Sequence, residues 1–149
     1  MMCLELLAAC RARRRIIRDL EDRLQDAREA ITGVSPVGGV RGGGGGDRFA
    51  AHAARVDELE TRLIREKRKL AAEHSAAILL TSAMPPAPRR SLRQFYGEGK
   101  SPAAIAQAMK CTVSNVYKAL AAGRSLAAGI GEDQVDAALP VAYFQKEDA

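Results

Sequence analysis

The sequence predicts an all-α protein in which a long antiparallel helical hairpin, or coiled coil, precedes a small domain of three helices. Two long stretches place apolar residues at alternating steps of three and four, which is the spacing of one helix face. Alanine, arginine, leucine and glutamate are abundant, and all four favour helix. Aromatic residues make up only 4% of the 149 residues, and alternating runs of β-branched residues are absent, so no sheet is expected.

The first helix is predicted to end near Ile31. One apolar stripe follows it, and Arg13 is the only charged member of that stripe. The stripe consists of Cys3, Leu6, Cys10, Arg13, Ile17, Leu20, Leu24, Ala27 and Ile31. A Gly-rich loop, 33–46, comes next and is predicted to be a flexible connection. It lacks the Gly-Lys-Ser/Thr ending and the preceding strand of a phosphate-binding loop, so we expect no nucleotide site there.

A second long helix is predicted to begin near Asp47, a suitable N-cap residue. Its apolar stripe is interrupted at His52, Glu66 and Glu73. The other members are Phe49, Val56, Leu59, Leu63, Leu70, Ala77 and Leu80. Two long helices with one stripe each most simply pair as a hairpin, which covers 1–83. Because a two-helix hairpin buries little surface, we expect it to form a homo-oligomer.

The remainder of the chain divides into three predicted segments. Residues 84–88 contain three prolines and are predicted to form a semi-rigid linker. Residues 89–126 are predicted to form a helix-turn-helix domain. Residues 127–149 are predicted to be a loosely attached acidic tail that includes a small apolar patch at Val141–Phe144.

The excess positive charge is confined to one of these segments. The net charge of the chain is +5, and Arg89–Arg124 contains seven basic residues and one acid. The two predicted long helices each contain seven basic and six acidic residues, and the last 25 residues have a net charge of −4. This distribution favours a nucleic-acid partner for 89–126.

Segment 89–126 has the caps and the spacing of three short helices. The first is predicted over Ser91–Tyr96, Ser101 and Pro102 begin the second, and Thr112 caps the third. Ala106 is the small residue expected where the second and third helices cross. The apolar residues expected to fix the angle between these helices are Ile105, Met109, Val116 and Leu120. The alternative is a compact three-helix unit without a DNA-binding role, since the turn contains Lys110 where glycine is common.

The third helix is predicted to enter the major groove of double-stranded DNA. Asparagine can pair with adenine, and valine can contact the methyl group of thymine. The predicted base-reading residues are Val113, Ser114, Asn115 and Lys118. Phosphate contacts, which position a protein without reading sequence, are predicted for Arg89, Arg90, Arg93, Lys100, Lys110, Thr112, Tyr117 and Arg124. For Tyr117, packing within the domain is an equal alternative.

The pattern of these residues resembles a known group of proteins. The spacing of Tyr96, Ser101, Ile105, Ala106, Met109, Thr112, Val116 and Tyr117 is similar to the fourth region of bacterial sigma factors. It is still more similar to small phage-encoded proteins, kin to late-gene transcriptional activators, that have such a unit at the C-terminus. Ile31-Thr32, Pro36, Gly38-Gly39 and Asp47 fit their N-terminal plan, so the resemblance covers Leu4 to Leu126. It implies a phage or prophage DNA-binding regulator, with RNA polymerase as a further partner.

Other classes of function have less support in the sequence. A coiled-coil assembly protein, such as a phage DNA-packaging component, is the alternative interpretation. No nucleophile–base pair, carboxylate pair or metal-ligand spacing indicates an enzyme or a cofactor. Three cysteines without paired spacing suit the reducing cytoplasm of a bacterial host cell. A secretory signal and a membrane span are not expected.

Overall fold

The computed structural model describes residues 1–33 and 44–145, and the helical prediction is confirmed throughout them. The helices are α1 (Cys3–Gly33), α2 (Gly44–Thr81), α3 (Pro86–Leu92), α4 (Pro102–Met109), α5 (Val113–Ala128) and α6 (Glu132–Ala138). A π-helical turn, Arg93–Gly97, continues α3, and a 3-10 turn, Val141–Phe144, follows α6. The described ranges contain no strand. The predicted loop 33–46 lies largely outside the described residues, and α2 begins at Gly44 rather than near Asp47, which lies in its first turn.

The chain forms two compact units, and the smaller comprises Ile16–Arg68. The parts of α1 and α2 in this unit run antiparallel, as two ion pairs show. Arg28 of α1 pairs with Glu60 of α2, with 2.8 Å between Nη2 and Oε1. The earlier Glu21 of α1 pairs with the later Lys67 of α2, whose Nζ lies 3.5 Å from Glu21 Oε1. The apolar stripes supply the buried residues of the unit. They are Ile17, Leu20, Leu24, Ala27, Leu59 and Leu63.

The larger unit comprises Met1–Arg15 and Lys69–Ala149. Its core takes residues from the first turns of α1, the last turns of α2 and every later helix. Its largest fully buried apolar side chains are those of Leu6, Leu92, Ile105, Val116, Leu120 and Val135. The start of α1 and the end of α2 therefore belong to the same core as α3, α4, α5 and α6.

The predicted linker at 84–88 differs from the structure. Proline has no backbone N–H, but the N–H groups in the first turn of a helix have no partner within the helix. Proline is therefore well suited to start a helix. Pro86 begins α3 in this way, and Met84 is buried in the core. The boundary predicted between 1–83 and 89–126 therefore lies inside the larger unit, because the last turns of α2 pack against the helices that follow.

The predicted tail, 127–149, is also corrected over its described part. Helix α5 continues through Ala127, which is fully buried. Val135 of α6 and Leu139, which follows that helix, are also in the core. Tyr143, in the predicted apolar patch, is half-buried, and its hydroxyl donates a hydrogen bond of 2.7 Å to Glu73. Residues 127–139 are thus packed rather than loosely attached, because Ala127, Val135 and Leu139 join the core. Beyond them Tyr143 anchors the 3-10 turn, whereas Val141 and Phe144 are exposed.

The three cysteines are free thiols in different surroundings. Cys3 and Cys10 are buried and Cys111 is half-buried. Burial raises the pKa of Cys10 to about 12, and the nearby Glu73 carboxylate adds to the effect. In 1–33 and 44–145, no group of three potential ligands is arranged to hold a metal ion. None of the helices described there combines the length and the apolar character required to span a membrane.

Candidate nucleic-acid interface

Two capped helices, α4 and α5, form the centre of the candidate interface. Both caps predicted from the sequence are confirmed. The Ser101 hydroxyl accepts a hydrogen bond of 3.2 Å from the backbone N–H of Ala104, and Pro102 occupies the first helical position. The Thr112 hydroxyl accepts one of 3.2 Å from the N–H of Asn115. Each cap satisfies a donor that the start of a helix leaves unpaired, and so fixes where α4 and α5 begin.

A short left-handed turn at Lys110 connects α4 to α5. Lys110 has a φ of 53°, in the left-handed region where glycine is normally favoured. Its N–H points back to the carbonyls of Ala106 and Gln107, and the N–H of Cys111 donates to Ala106 O at 3.0 Å. The backbone therefore makes the turn usual for a helix end, although the residue is lysine.

The packing between α4 and α5 follows the predicted pattern. Ile105 and Ala106 of α4 and Val116 and Leu120 of α5 are all buried. Met109 is partly buried against the same core. On its other side α5 meets α3, where Gly123 lies so close to Leu92 that a Cβ atom on the glycine would be 2.7 Å from Leu92 Cγ. These contacts fix the orientation of α5 within the larger unit.

All of the predicted base-reading residues are on the exposed side of α5. Val113, Ser114, Asn115 and Lys118 are exposed, whereas Val116 and Leu120 face the core. Tyr117, for which packing was an equal alternative, is 57% exposed and extends this surface. The first turns of α5 therefore present a continuous polar and apolar surface containing one cation.

The residues predicted to contact phosphate fall into two groups. Arg90, Lys110, Thr112 and Arg124 are exposed. Arg89, Arg93 and Lys100 are half-buried. Arg89 donates to the Met84 carbonyl at 3.4 Å, and Lys100 Nζ lies 3.0 Å from a Glu98 carboxylate oxygen. Arg89 and Lys100 are therefore partly occupied within the protein, whereas the buried Nε of Arg93 has no hydrogen-bond partner in the described part of the chain.

Arg124 has a second role that the sequence did not indicate. Its Nε donates a hydrogen bond of 2.8 Å to the Tyr96 hydroxyl. The guanidinium also lies 5.7 Å from the centre of the Phe95 ring and 5.8 Å from that of Tyr96. Arg124 thus ties α5 to the π-helical turn while its side chain stays accessible to an anion.

Two arginines of α1 support the interface, and the sequence reasoning did not identify them. Arg11 Nη1 donates to the carbonyls of Phe95 and Lys100, and its guanidinium lies 3.8 Å above the centre of the Phe95 ring. Arg14 Nε donates to the Gly97 carbonyl. Arginine provides several donors in a planar group, so one side chain can both bond carbonyls and stack on a ring. The only signal in the sequence is the density of arginines at 11–15, which does not reveal their partners.

Comparisons with known proteins add no relative. No family model, no curated protein and no solved structure matches the chain at a significant level.

Proposed function

We propose that this protein binds double-stranded DNA in a sequence-specific manner and acts as a phage or prophage transcriptional regulator in the cytoplasm of its bacterial host. The observation that supports it best is the exposed start of α5. That helix is capped by Thr112, is fixed from behind by α3 and α4, and has side chains suited to base edges on its outer surface. The basic segment Arg89–Arg124, with seven cations and one acid, provides the long-range attraction to phosphate.

The exposed side chains of the candidate interface divide between two tasks. Asn115 can donate one hydrogen bond to the edge of an adenine and accept another from it, and Val113 can contact a thymine methyl group. These two residues would therefore select bases. Lys110 and Arg90 are exposed cations outside α5 and hold the phosphate backbone. The unpaired N–H groups at the start of α5, next to Thr112, add further donors for a phosphate.

Operator selection from fragments of the host genome, followed by affinity measurements, tests this proposal. We expect one enriched site that binds roughly a thousandfold more tightly than random DNA at physiological salt. Asn115→Ala should abolish most of that preference. Arg90→Ala should weaken binding to all sequences equally. It should also reduce the slope of log affinity against log salt concentration by about 1, because one counterion fewer is released.

Ala121→Ser provides a matched control, because residue 121 is exposed on the same helix beyond the predicted base contacts. Its affinity and preference should equal those of the native protein. Selection that enriches no site contradicts the regulator proposal. Equal losses for Asn115→Ala on operator and random DNA would contradict the assignment of Asn115 as a base-reading residue.

The alternative is a coiled-coil assembly protein, such as a phage DNA-packaging component. Exposed Phe49 and Ile64 in the smaller unit favour it, because apolar residues of this size on a helical hairpin suit contacts with another chain. Such a protein should bind DNA without a preferred site. Under either proposal the hairpin holds a homo-oligomer, and under the first RNA polymerase is a further partner.

A further inference from the structure

The outer face of α2 in the smaller unit has its charges divided by sign. Toward the start of the helix this face presents Asp57 and Glu58, and toward its end Arg62 and Arg65. Thr61 lies between the two pairs, and Ala54 precedes them. These six residues line one shallow groove, and all of them are exposed. The face lies opposite the side where Leu59 and Leu63 are buried.

These charges have no partners within the described part of the chain. Ion pairs in the described part of the smaller unit include Asp19 with Arg23, Arg28 with Glu60 and Lys67 with Glu21. None of them includes Asp57, Glu58, Arg62 or Arg65. Glu58 and Arg62 are four positions apart, a spacing that often gives an ion pair within a helix, yet they form none here. Intrahelical pairing therefore does not account for the division of charge.

A helix face with acids before its midpoint and bases after it is complementary to a copy of itself in the antiparallel direction. A two-fold axis through Thr61 places Asp57 opposite Arg65 of the second copy, and by symmetry Arg65 opposite Asp57 of the second copy. The same axis brings Glu58 close to Arg62 of the second copy. Ala54 and Thr61 are small, so the two helix backbones can approach closely.

We propose that this face of α2 is a self-association surface, on which a second copy of this chain packs antiparallel around Thr61. Each contact is made twice, because the two copies present the same surface to one another. The charge pairs specify the direction and register of packing, which is the usual contribution of electrostatic complementarity to an interface. The proposal supplies the surface for the self-association included in the proposed function, and it lies on residues distinct from the DNA interface.

Sedimentation of the full chain without DNA, over a wide range of concentrations, tests this surface. The native protein should form a dimer whose dissociation constant rises with salt concentration, because exposed charge pairs are screened. Asp57→Arg and Arg65→Asp should each weaken dimerisation by about tenfold or more, since each places two pairs of like charges in contact. Circular dichroism should show the same helix content for every variant.

The double variant Asp57→Arg with Arg65→Asp separates this surface from a general effect of charge. Under a two-fold arrangement it exchanges the signs within each pair, so dimerisation should return to within about threefold of the native value. Arg18→Asp makes the same change of charge as Arg65→Asp, but at an exposed position of α1, and it should leave dimerisation unchanged.

A monomeric native protein overturns the proposal. It is equally overturned if the double variant dimerises more weakly than both single variants. The same holds if Arg18→Asp weakens dimerisation as much as Arg65→Asp does. Because no DNA is present, each of these outcomes leaves the DNA-binding proposal as it stands.

Discussion

Arg13 and Glu73 form a buried ion pair between the two long helices, within the larger unit. Arg13 Nε lies 2.6 Å from Glu73 Oε1, and the Glu73 side chain is 0% exposed. Tyr143, from the C-terminal 3-10 turn, donates its hydroxyl to the second carboxylate oxygen at 2.7 Å. Each of the two charged residues interrupts an apolar stripe, and each is the other's partner. The carboxylate thus joins α1, α2 and the end of the described chain.

Removal of Arg13 should therefore be costly. Arg13→Ala leaves a buried carboxylate without its cation, and we expect the free energy of unfolding to fall by about 3 kcal/mol in a denaturant titration. The matched control is Arg28→Ala, which removes the cation of the exposed Arg28–Glu60 pair and should cost about 0.5 kcal/mol. Arg13→Met combined with Glu73→Leu should recover most of the loss. Equal effects of Arg13→Ala and Arg28→Ala would contradict the buried pair.

The hydroxyl of Tyr143 should give stability a dependence on alkaline pH. Burial, followed by the hydrogen bond to Glu73, raises the pKa of Tyr143 from 10.0 to about 12. The unfolded chain loses this proton first, so the contribution is complete below pH 10 and decreases as the pH rises through about 12. Tyr143→Phe should reduce the decline in unfolding free energy over this range. A decline that stays as steep in Tyr143→Phe would assign it to other groups.

The features that the sequence predicted correctly depend on neighbouring residues. The caps at Ser101 and Thr112 each involve a backbone donor three positions away, and the burial of Ala106 and Val116 follows from spacing within α4 and α5. Short-range rules are sufficient for such features, since a helix fixes the relative positions of residues only a few apart.

The features that the sequence did not reveal depend on residues far apart in the chain. Arg11 meets the carbonyl of Phe95, 84 positions later, and Tyr143 meets Glu73, 70 positions earlier. In the sequence alone, Arg13 and Glu73 are each only a defect in an apolar stripe. Their pairing requires the register of α1 against α2, and composition and periodicity do not specify that register.

Gly123 should tolerate alanine poorly, against the usual preference of helices. Alanine normally stabilises a helix relative to glycine by up to about 1 kcal/mol. At Gly123 the added Cβ would lie 2.7 Å from Leu92 Cγ and 2.8 Å from Leu92 Cδ1, so α3 and α5 would have to separate. We expect Gly123→Ala to lower the free energy of unfolding by about 1–3 kcal/mol.

Gly46→Ala is the control for this substitution. Gly46 is also helical, in the first turn of α2, and nothing lies within 4 Å of the position its Cβ would take. This variant should be neutral or slightly more stable than the native protein. A stabilising Gly123→Ala in the same thermal or denaturant measurement would show that α3 and α5 do not pack closely at this position.

Lys110 offers a way to separate the conformation of the turn from its charge. Its φ of 53° places the Cβ atom in a strained position, so Lys110→Gly should raise the free energy of unfolding by up to about 1 kcal/mol. Lys110→Ala keeps the Cβ atom and should give no gain. Both variants lose the same exposed cation, so we expect equal losses of affinity for DNA, about tenfold at low salt. Equal stability of the two variants would contradict strain in the turn. A difference in their DNA affinity would show that the turn's conformation, and not only its charge, positions α5 on DNA.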